Sequence, residues 1–219
     1  MDFLQLYQAG IHQVVAVSGT AFTPRHALAL SRSTQKAVLF YDGDKAGGNA
    51  AIRAGWVLLK AGLEPTIVRP PEDQDPDDWV RAVGRNDVLS AIESPTSFLD
   101  FHLEFHGGKS LEGAERRQYI LDLMREIRSI QDGIVRNDLV RILSEKLMVD
   151  EHDLVRVMKS QRVNPVQYTD QTDQGDEIPK FTSTADRAQI ELLQLLALEE
   201  QSTRQYVQEN VTLAPGPEK

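Results

Sequence analysis

Two kinds of apolar pattern divide the chain. Over residues 11–83, short apolar runs at 14–17, 37–41 and 66–68 alternate with segments whose apolar residues recur about every 3.6 positions. Short apolar runs bounded by turn residues predict strands, and the longer periodic segments predict helices. Thr23 before Pro24 predicts the first residue of one such helix, and others are predicted at 49–61 and from Pro76 to Gly84. Strands that alternate with helices predict βαβ units and a doubly wound parallel sheet.

From residue 86 onward, the apolar spacing predicts helices only, which indicates a small helical bundle. The predicted helices cover 97–105, 111–130, 135–148 and 151–160. Residues 162–184 are poor in apolar side chains and contain two prolines, which predicts a flexible linker. A leucine-rich helix is predicted at 185–207, and so much leucine suggests a partner domain.

The run at 37–41 has no alternation, so we interpret it as a strand buried on both faces. Asp42 and Asp44 follow it directly, separated by one glycine, and a helix follows them. Open α/β sheets bind ligands beyond the carboxyl ends of their strands, and paired carboxylates are ligands for Mg²⁺ or Mn²⁺. The alternative is an ordinary hairpin turn, since Asp-Gly is a strong turn signal. No alternating strand follows, which favours a metal site.

A second acidic cluster follows the third predicted strand, at residues 72–78. Asp75 before Pro76 is typical of a helix N-cap, and Asp77 and Asp78 in the first turn favour the helix dipole. In a parallel sheet this cluster would lie beside the Asp42 loop, which favours a metal role as well.

Composition narrows the function classes. The chain has 219 residues, a net charge of −9, no cysteine and five histidines. The absence of cysteine excludes disulfides and thiolate zinc sites from this chain. His102 and His106 have i, i+4 spacing but no evident third ligand, so we expect solvated or interfacial roles for both.

The negative charge argues against strong binding to a phosphate backbone. We therefore interpret the arginines of residues 116–141 as solvated helix faces, with polyanion contact as the alternative. With no apolar span and no signal peptide, we expect a cytoplasmic protein that does not contact a membrane.

The ordered motifs resemble the Toprim catalytic domain of bacterial DNA primases. The combination of Asp-Gly-Asp-Lys-Ala-Gly at 42–47 with Asp-Pro-Asp at 75–77 is specific, and the resemblance extends over about residues 1–90. Further matching segments are residues 1–2, 9–11, 15–23, 50–54 and 61–63. The resemblance implies an α/β fold with a Toprim-type parallel sheet and flanking helices, then an all-α bundle and a C-terminal helix. The implied divisions are a Toprim subdomain at 1–93, the polymerase-domain bundle at 94–161, a linker at 162–184 and the start of a helicase-binding domain at 185–219.

The resemblance also implies a mechanism. Asp42 and Asp44 would be catalytic, and Asp42, Asp44, Asp75 and Asp77 would bind Mg²⁺ or Mn²⁺. Lys45 and Arg53 would contact nucleotide or template. The reaction would be template-directed transfer of ribonucleotides from their triphosphates into short RNA primers on single-stranded DNA, with a replicative helicase as partner.

The resemblance further implies a glutamate in a Glu-Gly-Tyr-Met-Asp motif, but the sequence begins at the Met-Asp. The family's zinc-binding domain and basic N-terminal half are not in this sequence either. We therefore expect an internal piece of a primase that binds metal weakly and does not synthesise primers by itself.

Three alternatives stay open. Asp42 and Asp44 after a strand also resemble the start of haloacid-dehalogenase phosphatases, although Ala46 stands where that family has Thr or Val. The chain could instead be another Toprim enzyme, such as a topoisomerase, nuclease or recombination mediator. It could also be a non-enzymatic fragment that binds a helicase or another helix through residues 192–198.

Overall fold

The computed structural model describes residues 2–17, 21–72 and 74–160. The chain divides into two compact units, and all the described residues outside 12–15 fall in the first. Residues 12–15 contain no helix or strand. The predicted linker at 162–184 and the helix predicted from 185 lie outside the described residues. Nowhere in the described ranges does a helix have the length and apolarity needed to cross a membrane.

The described elements follow a strand–helix pattern and then a run of helices. In chain order they are α1 (Asp2–Gln8), α2 (Pro24–Leu30), β1 (Lys36–Phe40), α3 (Lys45–Lys60), β2 (Glu64–Val68), α4 (Pro76–Val83), α5 (Arg85–Glu93), β3 (Thr96–Ser97), α6 (Phe98–Phe105), α7 (Gly113–Arg128), α8 (Gly133–Leu147) and α9 (Glu151–Ser160). The predicted class, α/β with flanking helices and then a bundle, is confirmed.

The described strands form one mixed sheet in the order β1-β2-β3. β1 and β2 are parallel, with Phe40 opposite Val68 at their carboxyl ends. This pair confirms the predicted crossover through α3. The sheet is not wholly parallel, because the two-residue β3 pairs antiparallel to β2. So short a strand leaves no periodic signal in the sequence.

One predicted strand is missing, and the predicted burial of another was wrong. Residues 14–17 have no strand assignment, and Val15 is 61% exposed. A short apolar run becomes a strand only where another strand satisfies its backbone groups, and the apolar pattern does not reveal whether such a partner exists. The strand predicted at 37–41 is β1, but it is not buried on both faces. Val38 is 40% exposed, so one face of β1 is only partly covered.

One continuous apolar core joins the sheet region to the helical bundle. Its fully buried members include Leu58 of α3, Leu103 of α6, Met124 and Ile127 of α7, Leu143 of α8 and Leu154 of α9. Lys60 of α3 also forms an ion pair with Glu126 of α7, at 2.7 Å. The residues on both sides of the predicted boundary at 93/94 therefore share one core.

Several bundle arginines have structural partners. Arg116 donates to the carbonyl of Leu147 at 2.6 Å, and Arg136 donates to that of Ile130 at 2.6 Å. These carbonyls lie at or just beyond helix C-termini, where backbone acceptors lack partners within the helix. Arg125 and Arg141 form ion pairs with neighbouring acidic residues. Such partners favour a structural role for this set over contact with a polyanion.

His102 lies at an interface between helices, one of its two predicted roles, and is not solvated. It is 7% exposed, and its Nδ1 lies 2.8 Å from the hydroxyl of Tyr119. Trp56 packs edge-on against the ring, with 5.6 Å between centroids. His106, just beyond the end of α6, is exposed, which agrees with the predicted solvated role. His102 is therefore part of the contact between α3, α6 and α7.

Candidate metal centre

The acidic loop between β1 and α3 lies beside the segment that joins β2 to α4. The parallel register brings both loops to the same end of the sheet. The Gly43 N–H donates to the carbonyl of Gln74 at 2.8 Å. A Cβ at Gly43 would lie 2.1 Å from the carbonyl oxygen of Pro71, so only glycine permits this approach. The two acidic clusters that were predicted to be neighbours are therefore in contact.

Two of the acidic residues are helix caps. The Asp44 carboxylate accepts from the Gly47 N–H at 2.6 Å and begins α3. Asp75 accepts from the Asp78 N–H at 2.7 Å and begins α4. The predicted capping role of Asp75 is confirmed. The hairpin alternative for residues 42–44 is excluded, because a helix rather than a strand follows the turn.

Five side chains surround an open cavity of ≈ 220 Å³ between the two loops: Asp42, Asp44, Gln74, Asp75 and Asp78. All of them offer oxygen atoms. The Gln74 Oε1 atom is buried without a hydrogen-bond partner. Hard divalent cations take oxygen ligands, so this donor set fits Mg²⁺ or Mn²⁺, and the unpartnered oxygen is one candidate ligand.

Burial and neighbouring negative charges both disfavour ionisation of Asp42. Although the residue is largely exposed, burial of its carboxyl raises the pKa, and the charges of Asp2, Asp44 and Asp75 raise it further. Like charges that share a site disfavour ionisation unless a proton or a cation lies between them. In the described ranges, no three histidine, cysteine, aspartate or glutamate side chains are arranged to hold a metal ion by themselves. A bound cation would therefore also draw ligands from the Gln74 amide, from water or from a phosphate.

The other predicted site residues do not line this cavity. Asp77 is only 8% exposed, and its Oδ1 lies 3.0 Å from Arg81 Nε, although that contact lacks the alignment of a hydrogen bond. Lys45 is the first residue of α3, and Arg53 lies further along this helix; both are exposed. Sequence reasoning placed Asp78 in the acidic cluster but not in the site, and it did not consider Gln74. Both residues could have been predicted only from their position in the polar segment that follows β2.

An Asp42→Asn substitution should stabilise the metal-free protein at neutral pH. A carboxyl whose pKa is raised on folding costs stability once the pH exceeds its unfolded-state pKa, and the full cost is present above the folded-state pKa. Asparagine removes that charge, so we expect a higher midpoint of thermal unfolding in EDTA at pH 7. Glu104→Gln, which removes an exposed charge from α6, is the control. An unchanged or lower midpoint for Asp42→Asn would contradict the repulsion.

Comparison with known proteins relates the chain to one group. Residues 1–80 match a family described as Toprim-like. A DNA primase of Clostridium acetobutylicum is 26% identical over 217 residues, which cover 97% of this chain and 36% of the relative. The Aquifex aeolicus primase structure, with zinc-binding and RNA polymerase domains, has a TM-score of 0.56 at 32% identity and covers 71% of this chain and 37% of that chain. A primase catalytic domain bound to single-stranded DNA has a TM-score of 0.60 at 28% identity, with coverage of 69% and 50%.

The chain spans about a third of the length of the Clostridium relative. The Toprim-like match covers the two acidic loops, and the structural matches extend over more than two thirds of the chain. Over most of its length the chain is therefore similar to bacterial DNA primases, and its residues 1–80 match the Toprim-like family.

Proposed function

We propose that this chain carries the acidic centre with which a DNA primase transfers ribonucleotides into RNA primers on a DNA template. The observation that carries the proposal is an open cavity that Asp42, Asp44 and Asp75 line together at the carboxyl ends of two parallel strands. In a chain of the primase family, such a set of oxygen ligands suits a metal-dependent nucleotidyl transfer.

In this proposal Asp42, Asp44 and Asp75 hold Mg²⁺ or Mn²⁺, assisted by Gln74 and Asp78. When bound, a divalent ion supplies charge stabilisation for the attacking and leaving oxygens of an in-line displacement. Asp77 stays a predicted ligand, although its partner at present is Arg81. Asp42 and Asp44 are the proposed catalytic residues.

The chain's own groups would also orient the nucleotide. Asp44 and Asp75 place the N-termini of α3 and α4 at the cavity, and helix N-termini favour anions such as phosphate. Lys45 begins α3 and Arg53 follows it on the same helix, so both are proposed contacts for triphosphate or template. Their side chains are exposed and need not move through the core to reach a ligand.

The partners and setting are proposals of the same kind. One related structure is described as bound to single-stranded DNA, which supports a DNA template for this family member. Ribonucleoside triphosphates, a replicative helicase and a cytoplasmic location follow from the primase assignment. The Toprim subdomain at 1–93 and the bundle at 94–161 stay predicted divisions. The phosphatase alternative has no support from the family match.

The test is a Mn²⁺ titration followed by the electron paramagnetic resonance signal of the free ion. We expect saturable binding to the full chain and at least tenfold weaker binding to an Asp42→Asn/Asp44→Asn variant. Asparagine caps helices about as well as aspartate, so the variant should keep α3 while losing both charges. Asp122→Asn, in α7 of the bundle, is the control. Equal binding by wild type and the double variant would contradict a metal centre at this loop.

A further inference from the structure

We infer that Arg69 is a positioning residue of the candidate metal centre, where it holds the peptide between Asp42 and Asp44 against the second acidic loop. The inference deepens the proposed function and depends on the metal site proposed there. Arg69 does not line the acidic cavity, so its effect would pass through the backbone that carries the ligands.

Two nitrogen atoms of the Arg69 side chain bind the same backbone carbonyl oxygen. Arg69 directly follows β2, and its Nη2 and Nε atoms donate to the carbonyl oxygen of Gly43, at 2.8 and 3.3 Å. The Gly43 N–H donates to the carbonyl of Gln74 at 2.8 Å. Both polar groups of this one glycine are therefore bound by the segment that joins β2 to α4. Arg69 binds the carbonyl group of Gly43, and the backbone of Gln74 binds its amide group.

This attachment matters because glycine restrains its own backbone poorly. A glycine peptide has a wider choice of φ and ψ than any other residue, and its orientation sets the directions of the residues on either side. Those residues are Asp42 and Asp44, two of the proposed ligands. The contact of Gly43 with Pro71 limits the space but supplies no directional bond, and the Arg69 fork supplies one.

If Arg69 acted only through its charge, its removal would change the affinity for the cation in the opposite direction. The guanidinium is a positive charge close to a proposed cation site, so its removal should tighten cation binding if electrostatics decided the result. If Arg69 acts by positioning, its removal should weaken binding in spite of the lost repulsion. Residues that orient metal ligands typically change affinity by about 10- to 100-fold when they are replaced.

The experiment compares the wild-type chain with Arg69→Met, Arg69→Lys and Lys36→Met in the same Mn²⁺ titration. Arg69→Met removes both the charge and the fork, and Arg69→Lys keeps the charge but not the fork. Lys36→Met removes a positive charge from the opposite ends of the two strands, where Lys36 is paired with Glu64. A second readout is the amide exchange rate of Gly43, measured by NMR in EDTA. Thermal unfolding verifies that each variant is folded at the temperature used.

We expect the dissociation constant for Mn²⁺ to rise about tenfold or more in Arg69→Met and by less in Arg69→Lys. It should be unchanged in Lys36→Met. The Gly43 amide should exchange faster in Arg69→Met without any metal. If Arg69→Met does not fold, the same comparison rests on Arg69→Lys.

Two results would overturn parts of this scheme separately. In the first, the wild type binds Mn²⁺, the Arg69 variants bind it equally or more tightly, and the Gly43 exchange rate is unchanged. This result would overturn the positioning role of Arg69 but not the proposed metal centre. A wild-type chain that binds no Mn²⁺ saturably would overturn the proposed metal centre, and the role of Arg69 in it would fall as well.

Discussion

Between pH 7 and pH 5 the protein should lose about 2 kcal/mol of its free energy of unfolding through one buried imidazole, that of His102. Burial, with a smaller effect from nearby His106, lowers the pKa of His102 from 6.5 to about 3. The unfolded chain then takes up a proton below pH 6.5 that the folded protein does not bind. The contribution is complete above pH 6.5 and is lost as the pH falls from 6.5 towards 3.

The surroundings of His102 explain why it stays neutral. Its Nδ1 hydrogen bond is to a neutral phenol, Tyr119, and its ring neighbours include Trp56 and Phe98. None of these groups offers a negative charge to an imidazolium. The pKa of Tyr119 is itself raised by burial, so its hydroxyl stays protonated throughout the range.

The measurement is urea unfolding of wild type, His102→Gln and His152→Gln at half-unit steps from pH 7 to pH 5. His102→Gln should be less stable at pH 7, because it loses ring packing, but its stability should fall less steeply towards pH 5. His152→Gln, which replaces an exposed ring of α9, controls for the loss of a histidine. The pKa of Asp100 is lowered, mainly by its hydrogen bond with Lys146. The stability that this carboxylate contributes is therefore lost mainly below pH 5. Identical slopes for wild type and His102→Gln would show that the folded protein accepts the proton.

Replacing Gly47 by alanine should remove both stability and Mn²⁺ binding. A Cβ there would lie 2.3 Å from the carbonyl oxygen of Asp42 and 2.9 Å from its carbonyl carbon and nitrogen. The obstruction is backbone rather than a flexible side chain, so the loop itself would have to move. Overpacking of this kind costs about 1–3 kcal/mol or more. Displacement of Asp42, and of the Gly47 N–H that donates to the capping carboxylate of Asp44, should also weaken Mn²⁺ binding at least tenfold.

Gly133→Ala is the matched control for this substitution. Gly133 is also near the start of a helix, α8, but the nearest atom to its added Cβ would be Arg136 Nη2 at 3.6 Å, an ordinary contact. We expect Gly133→Ala to be neutral or slightly stabilising, since alanine is the better helix former. Urea unfolding and the Mn²⁺ titration measure both variants. Full Mn²⁺ affinity in Gly47→Ala would contradict the fixed position of the Asp42 peptide.

Local signals predicted most of the described elements. The cap at Asp75 with Pro76 predicted the start of α4, and Thr23 with Pro24 that of α2. The apolar spacing predicted the bundle helices to within a few residues. These signals succeeded because caps and helical periodicity depend on residues within one or two turns of each other.

The acidic site was predicted only in part, and the missed details depend on distant residues. That the Asp42 loop and the segment after β2 lie together followed from the expectation of parallel strands. The geometry of α4 decides that Asp78, rather than Asp77, lines the cavity. Gln74 and Arg69 both contact Gly43 from more than twenty residues away, and no local pattern records such a contact.

The sequence by itself indicated the resemblance to primases, the parallel β1-α3-β2 crossover and the acidic loop, because each depends on short local motifs. The tertiary structure alone decided how exposed β1 is, which carboxylates share the cavity and that His102 is buried. It also joined the sheet and the bundle through one core. The physical reason is that the burial, pKa and hydrogen-bond partners of a side chain depend on which elements pack against each other. Helix and strand patterns specify only which face of an element is apolar.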